Sequence, residues 1–215
     1  MRKRFQSNRR KGNTIVEFAL VSVFLVPLLL GTVNVGLTLG RSIQVNQVCR
    51  DAGHMYVRQV DFSKPQNQNV IQRLGDNIGL NVSSPSSSKG VVVLTKILYM
   101  GATDCAGAGL SVSSCPNYRT PVITQRIVMG KSSLRASDFG TPSSSLITSN
   151  GDILPINYAT QSSCRASVIG NLLTMADGDT AYIAETYFEA PEWKFPGSNE
   201  LRSEEHTSEL QSLTN

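Results

Sequence analysis

The chain has 215 residues, a formal net charge of +4 and an isoelectric point near 9.0. Residues 1–11 hold six basic residues and no acid, whereas residues 13–201 carry no net charge. Because the basic character belongs to one short segment, the composition argues against a nucleic-acid-binding domain and favours contact of this segment with an anionic membrane face. The length suits one membrane helix followed by one domain of about 100–150 residues.

A long apolar run follows the basic segment. Between Glu17 and Arg41 lie 23 residues without a formal charge. As a helix they would extend about 35 Å, which exceeds the roughly 30 Å of a hydrocarbon core. The run therefore predicts a single transmembrane helix over residues 13–40, and the positive-inside rule places the N-terminus in the cytoplasm and the later residues outside it. A secretory signal peptide is disfavoured, because the apolar run is too long.

The start of this run carries a recognisable spacing. Gly12 closes a basic leader, residues 1–12, and Glu17 follows five residues later. This arrangement resembles the class III leader of prepilins. The surrounding sequence resembles the TadE-like minor pseudopilins of tight-adherence (Flp) pilus systems, roughly over residues 10–60. The resemblance rests on Gly-Asn-Thr-Ile-Val-Glu-Phe-Ala-Leu at residues 12–20, with Pro27 and Gly31 downstream. The resemblance implies that a prepilin peptidase cuts between Gly12 and Asn13 and leaves the helix in the mature protein.

Glu17 has two interpretations. A carboxylate in a membrane helix is costly, which marks it as a functional candidate. The resemblance implies that it neutralises the new α-amine of Asn13 in a neighbouring subunit; the alternative is an interfacial residue that marks the helix start. Type IV pilins and type II secretion pseudopilins usually begin the mature chain with Phe. Because this position is Asn13, the sequence resembles those two classes less than it resembles the TadE-like proteins.

Small and helix-distorting residues occupy the apolar run. Pro27 predicts a kink, because it removes one helical hydrogen bond. Small residues allow close helix packing in lipid, and an amide can bond across helices; the candidates are Gly31, Asn34, Gly36 and Gly40. Ordinary membrane-helix composition explains them equally well.

A helical pattern continues beyond the membrane run as an amphipathic stalk over residues 41–60. Its apolar stripe is Ile43, Val48, Ala52 and Met55, and a second helix is predicted over residues 70–79.

After residue 90 the spacing of apolar residues changes from the helical period to the alternation typical of strands. Residues 91–100, 122–129 and 180–190 predict three central strands of an antiparallel sheet, with a short strand near 153–158 and a helical piece near 168–175. The expected fold is α+β and pilin-like: a long N-terminal helix packed on a small sheet, with residues 61–201 forming the exported domain.

The four cysteines suit an oxidising compartment. Cys105 and Cys115 flank a Gly-rich loop, and a disulfide between them would contribute roughly 2.5–3 kcal/mol in the chain-entropy model. Cys49 and Cys164 would form the remaining pair and tie the stalk to the sheet, although four cysteines allow three connectivities.

No catalytic or metal-binding constellation is predicted, and no cofactor. His54 has no partner residues at ligand spacing, and Cys-x-x-Cys is absent from the sequence. Asp177 and Asp179 predict a turn before the last strand, with a calcium-ligand pair as the minor alternative.

Residues 202–215 resemble the conceptual translation of a sequencing-adapter read, which places the end of the native sequence near Leu201. A natural polar tail is the alternative, and both interpretations predict a disordered segment.

The sequence thus predicts a non-enzymatic minor pseudopilin in assembly or anchoring of a Flp-type pilus, held by one helix in the inner membrane with its domain in the periplasm. The implied partners are a prepilin peptidase, other pilins and pseudopilins, the inner-membrane assembly platform and membrane lipid. The alternatives are a minor pseudopilin of a type II secretion or type IV pilus system, a signal-anchored periplasmic binding or sensor domain, and an anchored enzyme.

Overall fold

The structure is a computed structural model that describes residues 10–166, 168–189 and 204–213. The chain forms two units, one ending at Arg41 and one beginning at Ser42. The helices and strands, in chain order, are α1 (Arg10–Val57), α2 (Pro65–Gly75), β1 (Gly90–Tyr99), α3 (Ala102–Gly107), β2 (Pro121–Gly130), α4 (Pro155–Thr160), β3 (Thr180–Glu189) and β4 (Glu204–Leu213). The predicted α+β fold is confirmed.

Helix α1 has 48 residues and begins the described part of the chain. The part of α1 that belongs to the first unit is rich in Leu, Val and Phe. In an apolar medium such a segment forms a helix, because a helix pairs its backbone N–H and C=O groups within one segment. Pro27 lies inside the helix, which continues through it. The kink at Pro27 stays a prediction.

The stalk segment, which we define as residues 42–57 of α1, belongs to the second unit and packs on its sheet. Its buried residues recur at helical spacing: Val45, Val48, Cys49, Ala52 and Tyr56. The predicted stripe was right for Val48 and Ala52, whereas Ile43 is 51% exposed and Met55 is only partly buried. At the end of the stalk segment the buried position is therefore Tyr56 and not Met55, one residue later than predicted.

The sheet is antiparallel, with strand order β2-β1-β3-β4. The three strands predicted from the period-2 pattern form its first three positions, and β1 lies between the other two. A β-bulge interrupts the β1–β2 register, because Lys96 pairs with Gln125 but Ile97 pairs with Ile123. The extra residue, Thr124, reverses the alternation, so that Ile123 and Ile127 lie on opposite faces of the sheet although both numbers are odd.

Each face of the sheet has its own core. The helix face packs the stalk segment, α2 and Phe62 against side chains of β1, β2 and β3: Val92, Leu94, Ile127, Met129, Tyr182, Ala184 and Phe188. The loop face packs segments between β2 and β3 against Ile97, Ile123, Ala181 and Ile183. Both faces of the sheet are therefore covered.

Two minor elements differ from the prediction. The strand expected over residues 153–158 is instead helix α4, because Pro155 stands at its first position, where proline is preorganised for a helix. Ile153 contributes only an isolated bridge to Ile147. The helical piece near 168–175 is a single 3₁₀ turn, Ile169–Asn171.

The disordered tail expected over residues 202–215 is wrong for the backbone of β4, which pairs in unbroken antiparallel register with β3. Without β4, strand β3 would present a row of open backbone groups at the sheet edge, and such an edge accepts an added strand. The origin of this segment from adapter sequence stays a prediction.

Candidate functional site

The first unit presents an apolar helix surface. Ile15, Phe18 and Phe24 are 71%, 73% and 71% exposed, and the other large apolar side chains from Val16 to Leu39 are also exposed. By length and composition, the described part of the chain has one helix that could cross a membrane, within Thr14–Val57. An all-round apolar helix suits a lipid environment. The helix therefore fits a single-pass membrane anchor.

The expected cleavage bond lies in the first turn of this helix. Gly12 and Asn13 follow Arg10, the first residue of α1. N–H groups in the first turn have no intrahelical acceptor, so this turn opens more readily than the helix interior. Glu17 is exposed on the same helix five residues after Gly12.

Hydroxyl groups in the apolar run bond to the helix itself. Ser22 Oγ donates to the Phe18 carbonyl at 2.8 Å, and Thr38 Oγ1 donates to the Asn34 carbonyl at 3.0 Å. Thr32 Oγ1 likewise donates to a carbonyl of the preceding turn at 2.8 Å. These polar side chains are satisfied without a second helix, so they add little cost in lipid.

The glycines of the apolar run leave open space on the helix. A Cβ at Gly31, Gly36 or Gly40 would meet no atom within 4 Å. Asn34 is half-buried. The role of these residues in helix packing remains a prediction.

The disulfide expected between Cys105 and Cys115 is present and buried. It closes the connection between β1 and β2, which contains α3 and a 3₁₀ turn, Val112–Ser114. Around it pack Met100, Val122 and Ala159.

The second expected pair is wrong. Cys49 belongs to the core of the helix face, where its Sγ donates to the Ala184 carbonyl at 3.3 Å. Cys164 belongs to the core of the loop face, and no disulfide joins the two residues. A sheet lies between them, and layers packed on a sheet stand about 10 Å from it.

The remaining candidate residues have local roles. His54 is exposed near the end of α1. Asp179 Oδ2 accepts the Ala176 N–H at 2.7 Å, which is the turn geometry expected before β3. Among the described residues, no group of three or more His, Cys, Asp or Glu side chains is placed to hold a metal ion.

Sequence reasoning missed a buried polar cluster on the loop face. Glu185 is fully buried and accepts the Ser137 hydroxyl and the Asp138 N–H. Arg126 Nη2 donates to the Gly140 carbonyl at 2.8 Å. Burial lowers the pKa of Arg126, and the nearby Glu185 carboxylate opposes that shift. The cluster fixes residues 137–140; its only sequence signal is a charged residue within each of two predicted strands.

It also missed a cleft of about 400 Å³ in the second unit, beside the end of α1. The cleft is lined by residues from segments far apart in sequence, among them Tyr56, Gln59, Lys96, Gln125 and Asp152. No local spacing unites these residues, so only the fold reveals the cleft.

Residues 12–54 match the family model described as TadE-like protein. The match begins at the glycine of the predicted cleavage site and ends within the stalk segment. No curated protein and no solved structure matches the chain. The match associates the chain with tight-adherence pili, in agreement with the sequence resemblance. Residues 12–54 of this chain are therefore similar to TadE-like proteins.

Proposed function

We propose that the chain is a minor pseudopilin that acts in assembly or anchoring of a Flp-type pilus. A prepilin peptidase removes residues 1–12, and the mature helix stays in the inner membrane with the second unit in the periplasm. The observation that carries this proposal is the position of Gly12 and Glu17 at the start of an exposed apolar helix, inside the TadE-like segment.

The chemistry of the mature N-terminus supports a role in assembly. Cleavage after Gly12 exposes an α-amine on Asn13, and a free ammonium in lipid requires a counter-charge. The Glu17 carboxylate of a neighbouring subunit supplies it. The pair would set the axial register between this chain and other pilins, while α1 contacts lipid and the inner-membrane assembly platform.

Cleavage is tested by producing the full chain with and without the cognate prepilin peptidase and sequencing the N-terminus. We expect Asn-Thr-Ile-Val-Glu only when the peptidase is present. Gly12→Leu should abolish cleavage. Gly31→Leu is the matched control, because a side chain at Gly31 meets no atom within 4 Å, and it should be cleaved normally. An uncut wild-type chain contradicts the proposal.

The role in assembly is tested separately. Glu17→Gln keeps the side-chain shape but removes the charge, so we expect normal cleavage and a loss of piliation in a host that makes these fibres. Asp51→Asn removes an exposed acid in the stalk segment and serves as the control. Normal piliation in the Glu17→Gln strain would refute the amine–carboxylate pairing.

One observation favours a second candidate, a signal-anchored periplasmic binding domain. That alternative requires a formed pocket, and the second unit contains the cleft described above. The two candidates differ at the N-terminus, which stays uncut in an anchored binding domain, so the same sequencing experiment separates them.

A further inference from the structure

The cleft beside the end of α1 has an apolar floor and a polar rim. Its apolar lining comprises Val60, which is partly buried, and the buried residues Phe62 and Ile127. The rim carries amide, hydroxyl and carboxylate groups, namely those of Gln59, Asp61, Ser63, Gln125, Asn150 and Asp152. The volume lies within the range of small-molecule sites, about 300–1,000 Å³.

A chain of hydrogen bonds fixes one wall. Tyr56 Oη donates to Gln125 Oε1 at 2.8 Å, and Gln125 Nε2 donates to Asp152 Oδ1 at 2.6 Å. Burial, followed by the nearby Tyr182 and Asp152, raises the pKa of Tyr56 well above its usual value, so its hydroxyl remains a donor. These hydrogen bonds hold the Gln125 amide and the Asp152 carboxylate in one orientation before any ligand binds.

The turn that carries Asn150 and Asp152 is equally constrained. The Thr148 N–H donates to the Asp152 carbonyl at 2.9 Å, and the Asp152 N–H donates to Thr148 Oγ1 at 3.1 Å. Gly151 has φ +85°, and a Cβ there would lie 2.8 Å from the Arg126 carbonyl oxygen. The rim is therefore built on an ordered turn bonded to strand β2.

Gln59 occupies a position that favours glycine. It has φ +61° just after α1, with its N–H donating to the Tyr56 carbonyl at 2.9 Å. Glycine is the usual residue at such a helix end, because a side chain in this conformation is strained. Gln59 nevertheless lines the cleft. A strained side chain on a cleft rim suggests a binding role.

The charges of the rim limit the ligand class. Asp61 and Asp152 are carboxylates, and the hydrogen bonds from Ser63 lower the pKa of Asp61, which keeps it ionised. The one ammonium, Lys96 Nζ, lies 5.7 Å from the centroid of the Tyr182 ring and interacts with it. Asp61 also pairs with Lys64 Nζ at 3.6 Å, so Asp152 is the carboxylate that disfavours an anionic ligand. Hydroxyl groups, by contrast, can donate to carboxylates and accept from amides.

We propose that this cleft binds a short, uncharged saccharide. Its hydroxyl groups would bond to Gln59, Asn150 and Asp152, and its C–H face would pack on Val60, the partly buried apolar residue of the lining. The inference holds whether or not Gly12 is cleaved, so its failure leaves the proposed function standing.

The test uses the full chain in a zwitterionic detergent without a sugar headgroup. Saturation-transfer NMR is recorded with maltotriose, cellotriose, an N-acetylglucosamine trimer and, as the anionic probe, glucose 6-phosphate. We expect at least one uncharged trisaccharide to bind with a Kd in the millimolar range or tighter, and glucose 6-phosphate to bind more weakly. Asp152→Ala should raise that Kd about tenfold, the equivalent of one lost hydrogen bond.

A second variant separates binding from folding. Gln59→Gly should also raise the Kd several-fold, yet raise the Tm, because it relieves the strained backbone. Arg119→Gly is the matched control: Arg119 also has positive φ, +56°, but does not line the cleft, so its Tm should rise with the Kd unchanged. Failure of all three trisaccharides to bind at millimolar concentration overturns the proposal, as does binding that neither cleft variant weakens.

Discussion

The disulfide gives a stability prediction that can be worked out from the structure. Cys105 and Cys115 are separated by 10 residues, and both are buried. In the chain-entropy model, a loop of this length lowers the entropy of the unfolded chain enough to stabilise the fold by roughly 2.5–3 kcal/mol. For a domain of this size, each kcal/mol shifts the Tm by about 2–4 °C, so the loss corresponds to about 5–12 °C.

The perturbation is the double substitution Cys105→Ala with Cys115→Ala, compared with the wild-type chain by thermal and chemical denaturation. Adding a reductant to the wild type should reproduce most of the loss. The double variant should not respond to reductant, because Cys49 and Cys164 do not form a second disulfide. Equal Tm values for the oxidised wild type and the double variant would refute the reasoning, and a reductant-sensitive double variant would show that Cys49 and Cys164 do pair.

Two further predictions concern charged groups of the second unit. Glu185→Ala should lower the free energy of unfolding by about 3 kcal/mol, because it leaves the Ser137 hydroxyl and the Asp138 N–H without their buried acceptor; a loss below about 1 kcal/mol in chemical denaturation would contradict this. Asp61 has a folded pKa below its usual 3.8, chiefly because Ser63 donates hydrogen bonds to it. Its contribution is therefore present above pH 3.8 and is lost as the pH falls through the lowered folded pKa. Asp61→Asn should reduce the acid dependence of stability in that range, measured as Tm against pH, and an unchanged acid limb would count against the assignment.

Local pattern was sufficient for the main elements. The membrane-length helix follows from 23 uncharged residues, and β1, β2 and β3 follow from β-branched residues with period-2 alternation. The pattern failed where one residue overrides its neighbours: Pro155 starts a helix in a run that is otherwise suited to a strand.

Long-range arrangement was harder to predict. The sequence places Cys49 on the stalk and Cys164 in a late loop, but it does not say which face of the sheet each contacts. The cleft was equally inaccessible, because Gln59, Gln125 and Asp152 acquire their relation only when α1, β2 and a turn meet. The N-terminal candidates, Gly12 and Glu17, rest on a spacing along the chain and remain predictions.

The two-sided sheet has a consequence for divergence. The stalk segment packs on one face of the sheet, whereas the long connection between β2 and β3 covers the other face. Substitutions and insertions in this connection can therefore accumulate without disturbing the packing of the stalk segment. The connection between β2 and β3 could therefore change in length and sequence while the packing of the stalk segment on the other face stays the same.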